Sequence, residues 1–253
     1  MSSLFSPAAS AQKTVLITQS NYIPWKGYFG LIDSVDELVL LDSVQYTRRD
    51  WRNRNIIKTP SGPIWLTIPV NVKGRYHQAI DEVNVSDLAW ADKHVRTLQS
   101  SYKRAGSYDA VSPWLFESII AVAKATDKLS AINEYLIRAI SSKLGISTPI
   151  KRCTEILERE AMLQMDPTER LVEICRALGA TRYVSGPAAK DYLDVAKFHA
   201  HKIDVVWADY GGYREYPQLW GAFDHSVSIV DLLLNAGDAS RELMLLPSCR
   251  RVA

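Results

Sequence analysis

The run Glu37–Asp42, ELVLLD, constrains the fold more than any other stretch, because its four inner residues are all apolar. A strand with one wet face alternates polar and apolar side chains, so a run with no polar face is covered on both sides, as parallel strands in α/β proteins are. A second such run, Val15–Thr18, stops at Gln19-Ser20-Asn21, and a helical stretch from about Trp25 to Ser34 separates the two. Pro24 biases Ile23 toward extended backbone and suits the first helical position. Tyr28, Leu31 and Ile32 share the inner face of this helix, which leaves Lys26 outside it.

The rest of the chain keeps the same grammar. Ile64–Val72 (IWLTIPVNV), introduced by the turn Thr59–Pro63, and Ala79–Val85 read as strands, with an exposed loop at Asn71–His77. Apolar spacing predicts helices over Asp87–Arg104, with Ser86 as cap, over Pro113–Thr126 and over Leu129–Leu144. The α/β pattern returns with an edge strand at Ile150–Cys153 and an amphipathic helix at Pro167–Leu178, capped by Asp166 and ended by Gly179. Strands at Thr181–Val184 and Ile203–Trp207 flank a helix running from Pro187 toward Asp194. An aromatic loop (Asp209–Trp220) and a helix at Ser228–Asn235, stopped near Gly237, complete the pattern. The expected fold is a doubly wound, mostly parallel α/β sheet in one domain over residues 14–238, with a helical insertion at about 87–145. Residues 1–13 lack the basic start and apolar middle of a secretory signal and are expected to be frayed. Residues 239–253 read as a tail that packs locally.

An apolar fraction of 47% in 253 residues gives room for a sizeable core, and a formal charge of +2 carries no overall bias toward nucleic acid or membrane. No stretch approaches the roughly 18 apolar residues of a membrane span. Cys153, Cys175 and Cys249 are widely spaced, as expected of reduced thiols in a cytoplasmic protein, and Cys175 falls on an apolar helical face as core filling. Of the five histidines, only His199 and His201 are close, at a spacing poor for sharing one helical face, so no metal is expected. His94, in the middle of a helix, reads as a structural histidine.

Ligands of open α/β sheets bind beyond the carboxyl ends of the strands, and four clusters fall there. The first is Gln19, Asn21, Tyr22, Trp25, Lys26 and Tyr28, in which the lysine serves as an anion ligand or, once desolvated, as a base. The second is Asp42, Gln45, Tyr46, Arg48, Trp51, Arg52, Asn53 and Arg54. From Arg48 to Lys58, five basic residues against one acid leave a local balance of +4. Arginines clamp phosphates or carboxylates and Trp51 offers a stacking face, although basic runs are usually solvated loops. The third is Ser185-Gly186-Pro187 with Tyr192, either an anion cradle at a helix start or an ordinary tight turn. The fourth is the loop Asp209-Tyr210-Gly211-Gly212-Tyr213, with Tyr216 and Gln218, in which Asp209 is a candidate base and the tyrosines line a sugar-sized pocket, or else an exposed turn with interface aromatics.

The phrases QSNYIPWKGYFGLI (Gln19–Ile32), LLDSVQYTRRDWRNRNII (Leu40–Ile57), WLTIPV (Trp65–Val70), RLVEICRALGATRYVSGPAAKDYLD (Arg170–Asp194) and SIVDLLLNAG (Ser228–Gly237) together resemble the WbqC-like family. The family often reads QPNYLPW where this chain has serine at position 20. The resemblance implies a biosynthetic setting, in bacterial gene clusters for O-antigen, other surface polysaccharides and some small natural products. The layout of strand, proline loop, W-K-G-Y, helix and strand is also similar to HxGH-type nucleotidyltransferases on a HUP-like scaffold. Trp25 and Tyr28 stand where those enzymes keep their histidines, which speaks against adenylyl transfer.

The expected function is transfer of an acyl or aminoacyl group to an amino group of a nucleotide-linked sugar or related metabolite. Lys26, Asp42 and Asp209 are the candidate catalytic groups, and the arginines are clamps for a donor: a CoA thioester, a carrier-protein thioester or a charged tRNA. A non-catalytic nucleotide-sugar or partner-binding module and an ATP-dependent ligase are the alternatives.

Overall fold

The computed structural model describes residues 12–245. In chain order its elements are β1 (Thr14–Thr18), α1 (Lys26–Asp33), β2 (Glu37–Leu40), the hairpin β3 (Arg54–Thr59) and β4 (Gly62–Thr67), then α2 (Trp90–Tyr102), α3 (Tyr108–Ala125) and α4 (Leu129–Lys143). There follow β5 (Ile150–Arg152), α5 (Arg159–Gln164), α6 (Pro167–Ala177), β6 (Arg182–Ser185), α7 (Val195–Ala200), β7 (Asp204–Trp207), α8 (Ile229–Ala236) and α9 (Ser240–Met244). Five strands make one sheet in the order β5-β2-β1-β6-β7, every neighbouring pair parallel. This is the expected doubly wound α/β layout. The antiparallel hairpin is a separate two-stranded sheet.

Successive strand residues point to opposite faces, and the core divides accordingly. Leu16, Leu38 and Leu40 pack on one face with Phe29 and Ile32 of α1 and Leu136 of α4. Val15, Ile17 and Val39 pack on the other with Ile174 and Cys175 of α6 and Phe198 of α7. Each such side chain, fully buried, contributes roughly 1.5–3 kcal/mol, which explains why the apolar runs end up central. Cys175 is fully buried, as read from its helical face. Asp166 caps α6 through both Thr168 and Glu169 amides, and Glu169 returns the bond. Gly237 ends α8 at φ 53°, a left-handed value that glycine adopts without strain.

Several expectations are corrected. Ala79–Val85 is a 3-10 turn at Ile80–Glu82 flanked by isolated bridges, because Ala79 pairs with Gln45 and Val85 with Val70 rather than with one strand. The IWLTIPVNV run is a continuous strand only as far as Thr67, and beyond it Val70 makes the isolated bridge to Val85. Ser86 does not cap α2; Asp87 turns the chain instead, accepting from the Ala89 N–H at 2.9 Å. Pro24 precedes α1, whose cap position is Trp25. The helix expected from Pro187 is a 3-10 turn to Asp191 followed by α7, whose cap is Asp194. Arg54–Lys58, read as part of a basic loop, lies in β3, with Lys58 buried. The tail holds α9, with Met244 buried, while residues 1–11 and 246–253 lie outside the described residues. No helix among the described residues is long and apolar enough to cross a membrane.

Candidate functional site

The chain order reverses between β1 and β6: β1 is followed outward by β2 on one side and by β6 on the other. The loops leaving these two strands therefore part, and a hollow opens between them. A cleft of about 300 Å³ lies there, walled by Gln19, Asn21, Trp25 and Tyr28 from the β1 side and by Ser185, Gly186, Tyr192 and Tyr210 from the β6 and β7 side.

Arg52 sets the chemistry of the first wall. Its guanidinium donates to Oδ1 of Asn21 and to Oε1 of Gln19, with Asp50 at 3.7 Å. Arginine has only donors, so both amide oxygens must face it and both NH2 groups are turned the other way. Gln19 and Asn21 both line the cleft, each with its oxygen bonded to the Arg52 charge and its NH2 group not used by Arg52. The backbone is fixed as well: Asn133 donates to the Arg52 carbonyl at 2.8 Å and to Ser20 Oγ at 3.1 Å, and Tyr22 N–H donates to the Trp51 carbonyl at 3.0 Å.

The next turn is strained. Ile23 has φ 36°, a conformation costly for a β-branched residue. Two buried side chains hold it: Asn55 donates to the Tyr22 and Ile23 carbonyls at 3.1 and 3.0 Å, and Ser228 Oγ donates to the Ile23 carbonyl at 2.7 Å. The turn sends Tyr22 inward, where its hydroxyl meets His94 Nδ1 at 2.8 Å. Burial lowers the His94 pKa to about 4, so this ring is neutral and structural. Trp25 goes outward and stands edge-on to Tyr210 and Tyr213, with centroids 5.0 and 5.8 Å away. It lies across Gly27, where a Cβ would come within 2.3 Å of the indole. A second hollow of about 220 Å³ is lined by Pro24, Trp51, Asn55 and Ser226, and Asn21 and Trp25 belong to its wall as well as to that of the cleft.

The three expected acid–base groups lie elsewhere. Lys26 is 2% exposed; its ammonium donates to the Arg214 carbonyl at 3.2 Å and sits 4.9, 5.1 and 5.5 Å from the ring centres of Tyr213, Tyr216 and Phe223. Burial lowers its pKa to about 8 against the opposing pull of Asp231 and Glu215. Asp42 is buried and accepts from the Ser20 N–H at 2.8 Å and from the Ser130 hydroxyl. Its pKa is raised by burial, which outweighs those bonds and the Arg52 charge. Asp209 is exposed and closes a turn onto the Gly211 N–H at 2.9 Å. None of the three lines the cleft.

The remaining expected residues divide between the cleft and other neighbourhoods. Gly186 has φ −68°, and the 3-10 turn after it opens with Pro187, which has no N–H and so adds no donor at this edge of the cleft. Gln218 accepts from Lys58 at 2.7 Å and donates to Tyr216 at 3.0 Å, inside a buried network that ends on Asp231. Asn53 is buried against the Ile68 carbonyl at 2.8 Å and Tyr46 is buried. Gln45, Arg48, Trp51 and Arg54 cluster on the hairpin side. Sequence reasoning missed Asn55, Ser228 and Asp231, whose roles depend on partners remote in the chain; a lone polar residue inside an apolar run, as at SIVDLLL, is the one local sign. Among the described residues no three His, Cys, Asp or Glu side chains come together in a group able to hold a metal.

The model of the WbqC-like protein family matches residues 19–243. The uncharacterized protein Rv1507c of Mycobacterium tuberculosis is 47% identical over 225 residues, which cover 89% of this chain and 94% of that protein. No solved structure matches. The chain belongs to the WbqC-like protein family.

Proposed function

We propose that the chain is a biosynthetic group-transfer enzyme that binds a nucleotide-linked sugar, or a related amino metabolite, in the strand-end cleft. It transfers an acyl or aminoacyl group to the amine of that substrate: the amide C–N bond forms as the donor's thioester or ester bond breaks, and the CoA or carrier thiol, or the tRNA hydroxyl, leaves with the proton that the amine gives up. The observation that carries the reading is the pair of amides, Gln19 and Asn21, held with their NH2 groups away from Arg52. Attack of an amine on an acyl carbon puts negative charge on the carbonyl oxygen, and fixed donors backed by a cation stabilise that charge without reorganising. Trp25, Tyr192 and Tyr210 supply flat surfaces for a sugar ring or base. The second hollow, sharing Asn21 and Trp25 with the first, gives the acyl group a place beside the amine.

A second reading, a binding module without turnover, is favoured by one observation: among the described residues the cleft lining contains no carboxylate, lysine, histidine or cysteine. Calorimetry with a nucleotide-linked amino sugar, followed by mass spectrometry of mixtures with CoA-thioester and aminoacyl-tRNA donors, separates the two. The enzyme reading expects binding, an acylated product, and a kcat lowered roughly 10²–10³-fold in Asn21→Ala. Binding without product from any donor selects the module. Release of AMP or pyrophosphate would select a ligase, and absence of binding overturns the assignment of the cleft.

A further inference from the structure

A second surface lies on the hairpin side, outside the cleft lining. Residues 45–77 contain seven basic residues (Arg48, Arg49, Arg52, Arg54, Lys58, Lys73, Arg75) and one acid, Asp50. Arg52 and Lys58 are used internally, as described above. The other five form no ion pair among the described residues. They are nonetheless gathered. Arg48 donates to the Val72 carbonyl at 2.7 Å and Gln45 to the Tyr76 carbonyl at 2.9 Å, so the loop after β2 lies against the loop carrying Lys73 and Arg75. Arg48 and Arg75 share a hollow of about 330 Å³ with Tyr46 and Tyr76.

Aromatic rings are interleaved with this charge and face water. Trp51, Trp65 and Tyr76 are 39%, 43% and 71% exposed. The Trp51 and Trp65 ring centres are 5.1 Å apart, and the Arg54 guanidinium lies 4.0 Å over Trp65. Exposed indoles side by side, next to guanidinium groups with no carboxylate partner, form a ledge for flat rings beside a row for phosphates. A single small anion would need only the Arg48–Arg75 hollow and would leave the indole ledge without a role. An acidic protein would use the charges and not the ledge.

We propose that this face binds single-stranded nucleic acid, with phosphates along Arg48, Arg54 and Arg75 and bases stacked on Trp51 and Trp65. Trp51 also lines the hollow that shares Asn21 and Trp25 with the cleft, so the end of a bound strand lies at the mouth of the site. That an acyl group arrives there on an RNA end rests on the transfer reading above; the binding face does not.

The test is fluorescence anisotropy of labelled RNA and DNA oligonucleotides of roughly ten bases against the full chain over a range of salt. Binding is expected to weaken with salt at a slope of about −0.7 per phosphate neutralised, and Arg75→Glu should flatten that slope. The Trp51→Ala/Trp65→Ala double variant should bind on the order of tenfold or more weakly, while still unfolding in one cooperative transition, because both rings lie at the surface. Tighter binding of RNA than DNA identifies the natural strand as RNA, and the reverse as DNA. Absence of binding at low salt overturns the proposal. So does binding that ignores the two tryptophans, or that poly-glutamate displaces as well as an unlabelled strand does, since those results describe a polyanion surface or an acidic protein partner. Because no turnover is read, failure here leaves the cleft assignment standing.

Discussion

Asp42 under the cleft and Asp231 under the aromatic loop are both buried carboxylates, and they are satisfied in different ways. Asp42 accepts from small groups, the Ser20 N–H and the Ser130 hydroxyl, and so ties the loop after β1 to α4. Asp231 accepts from two phenols, Tyr102 at 2.8 Å and Tyr216 at 2.9 Å, and feels the charge of Lys58. Burial raises the pKa of both, against the opposing effect of those partners. The difference is in the cations. Around Asp231 two lysines, Lys26 and Lys58, are enclosed with it, whereas of the cations near Asp42, Arg52 is spent on the amides of Gln19 and Asn21 and Arg152 on Glu134. Charged groups here position the neutral groups that line the cleft. One carboxylate anchors the loop that carries Gln19 and Asn21, the other holds the aromatic loop through Tyr216.

If that contrast is right, Asp231→Ala has the largest effect on stability. It strands two buried phenols and removes the nearby negative charge from two enclosed lysines, at a cost of about 3–5 kcal/mol. Urea unfolding measures it; a loss below about 1 kcal/mol would show that the network is dispensable. Asp42→Asn should cost less, about 1–2 kcal/mol, because Ser130 can turn its hydroxyl to accept from the new amide. Its pH dependence follows from the raised pKa. The folded state holds the Asp42 proton to higher pH than the unfolded chain does, so wild-type stability falls as pH rises from the unfolded carboxylate range through the raised folded value. The asparagine variant lacks that fall, and the gap between the two proteins should narrow over the same window. A gap that widens would mean that the ionised form is the favoured one in the fold.

Removing one hydroxyl from each node makes the sharpest comparison. Ser130→Ala and Tyr216→Phe each delete one donor, for about 0.5–1.5 kcal/mol. Only the first is tied, through Asp42 and the Ser20 N–H, to the loop that carries Gln19 and Asn21, so only Ser130→Ala should also weaken nucleotide-sugar binding. Equal effects on binding would erase the distinction between the two regions.

What the chain announced locally and what it left unsaid follow the same division. β1 and β2 were legible because a run with no polar residue leaves few options, and the α6 start because Asp166, Pro167 and Glu169 form a self-contained cap. β3 was not legible. RNIIKT buries Asn55, Ile57, Lys58 and Thr59; Thr59 bonds locally to the Gly62 carbonyl, but Asn55 and Lys58 are acceptable there only because Tyr22, Ile23, Gln218 and Ala222 arrive from elsewhere to bond them. The position of the cleft was legible from strand ends. The roles inside it were not: Arg52 looked like a phosphate clamp until its partners, 31 and 33 residues back in the chain, were in place. Lys26 was read as free because its neighbours on α1 are apolar, yet the rings that enclose it come from the loop near residue 213.

Lys26 gives the smallest effect at neutral pH and the most specific one in alkali. Its folded-state pKa of about 8 lies below the ordinary 10.5. Below pH 8 both states are protonated and the cost of enclosing the ammonium is present in full. Between pH 8 and 10.5 the unfolded chain keeps the proton that the folded chain has lost, so this residue makes stability rise with pH. Buried tyrosines act the other way: the pKa values of Tyr22, Tyr28, Tyr102 and Tyr216 are raised by burial, and they pull stability down once unfolded phenols ionise near pH 10. Both trends are common to any single measurement, but only the lysine term disappears in Lys26→Met. Wild type should therefore gain on the methionine variant across that window, read as the difference between two urea-unfolding series. Parallel curves would mean that the enclosed ammonium is held by the three rings and the Arg214 carbonyl as well as water would hold it. The region under the aromatic loop would then tolerate charge as readily as the region under the cleft.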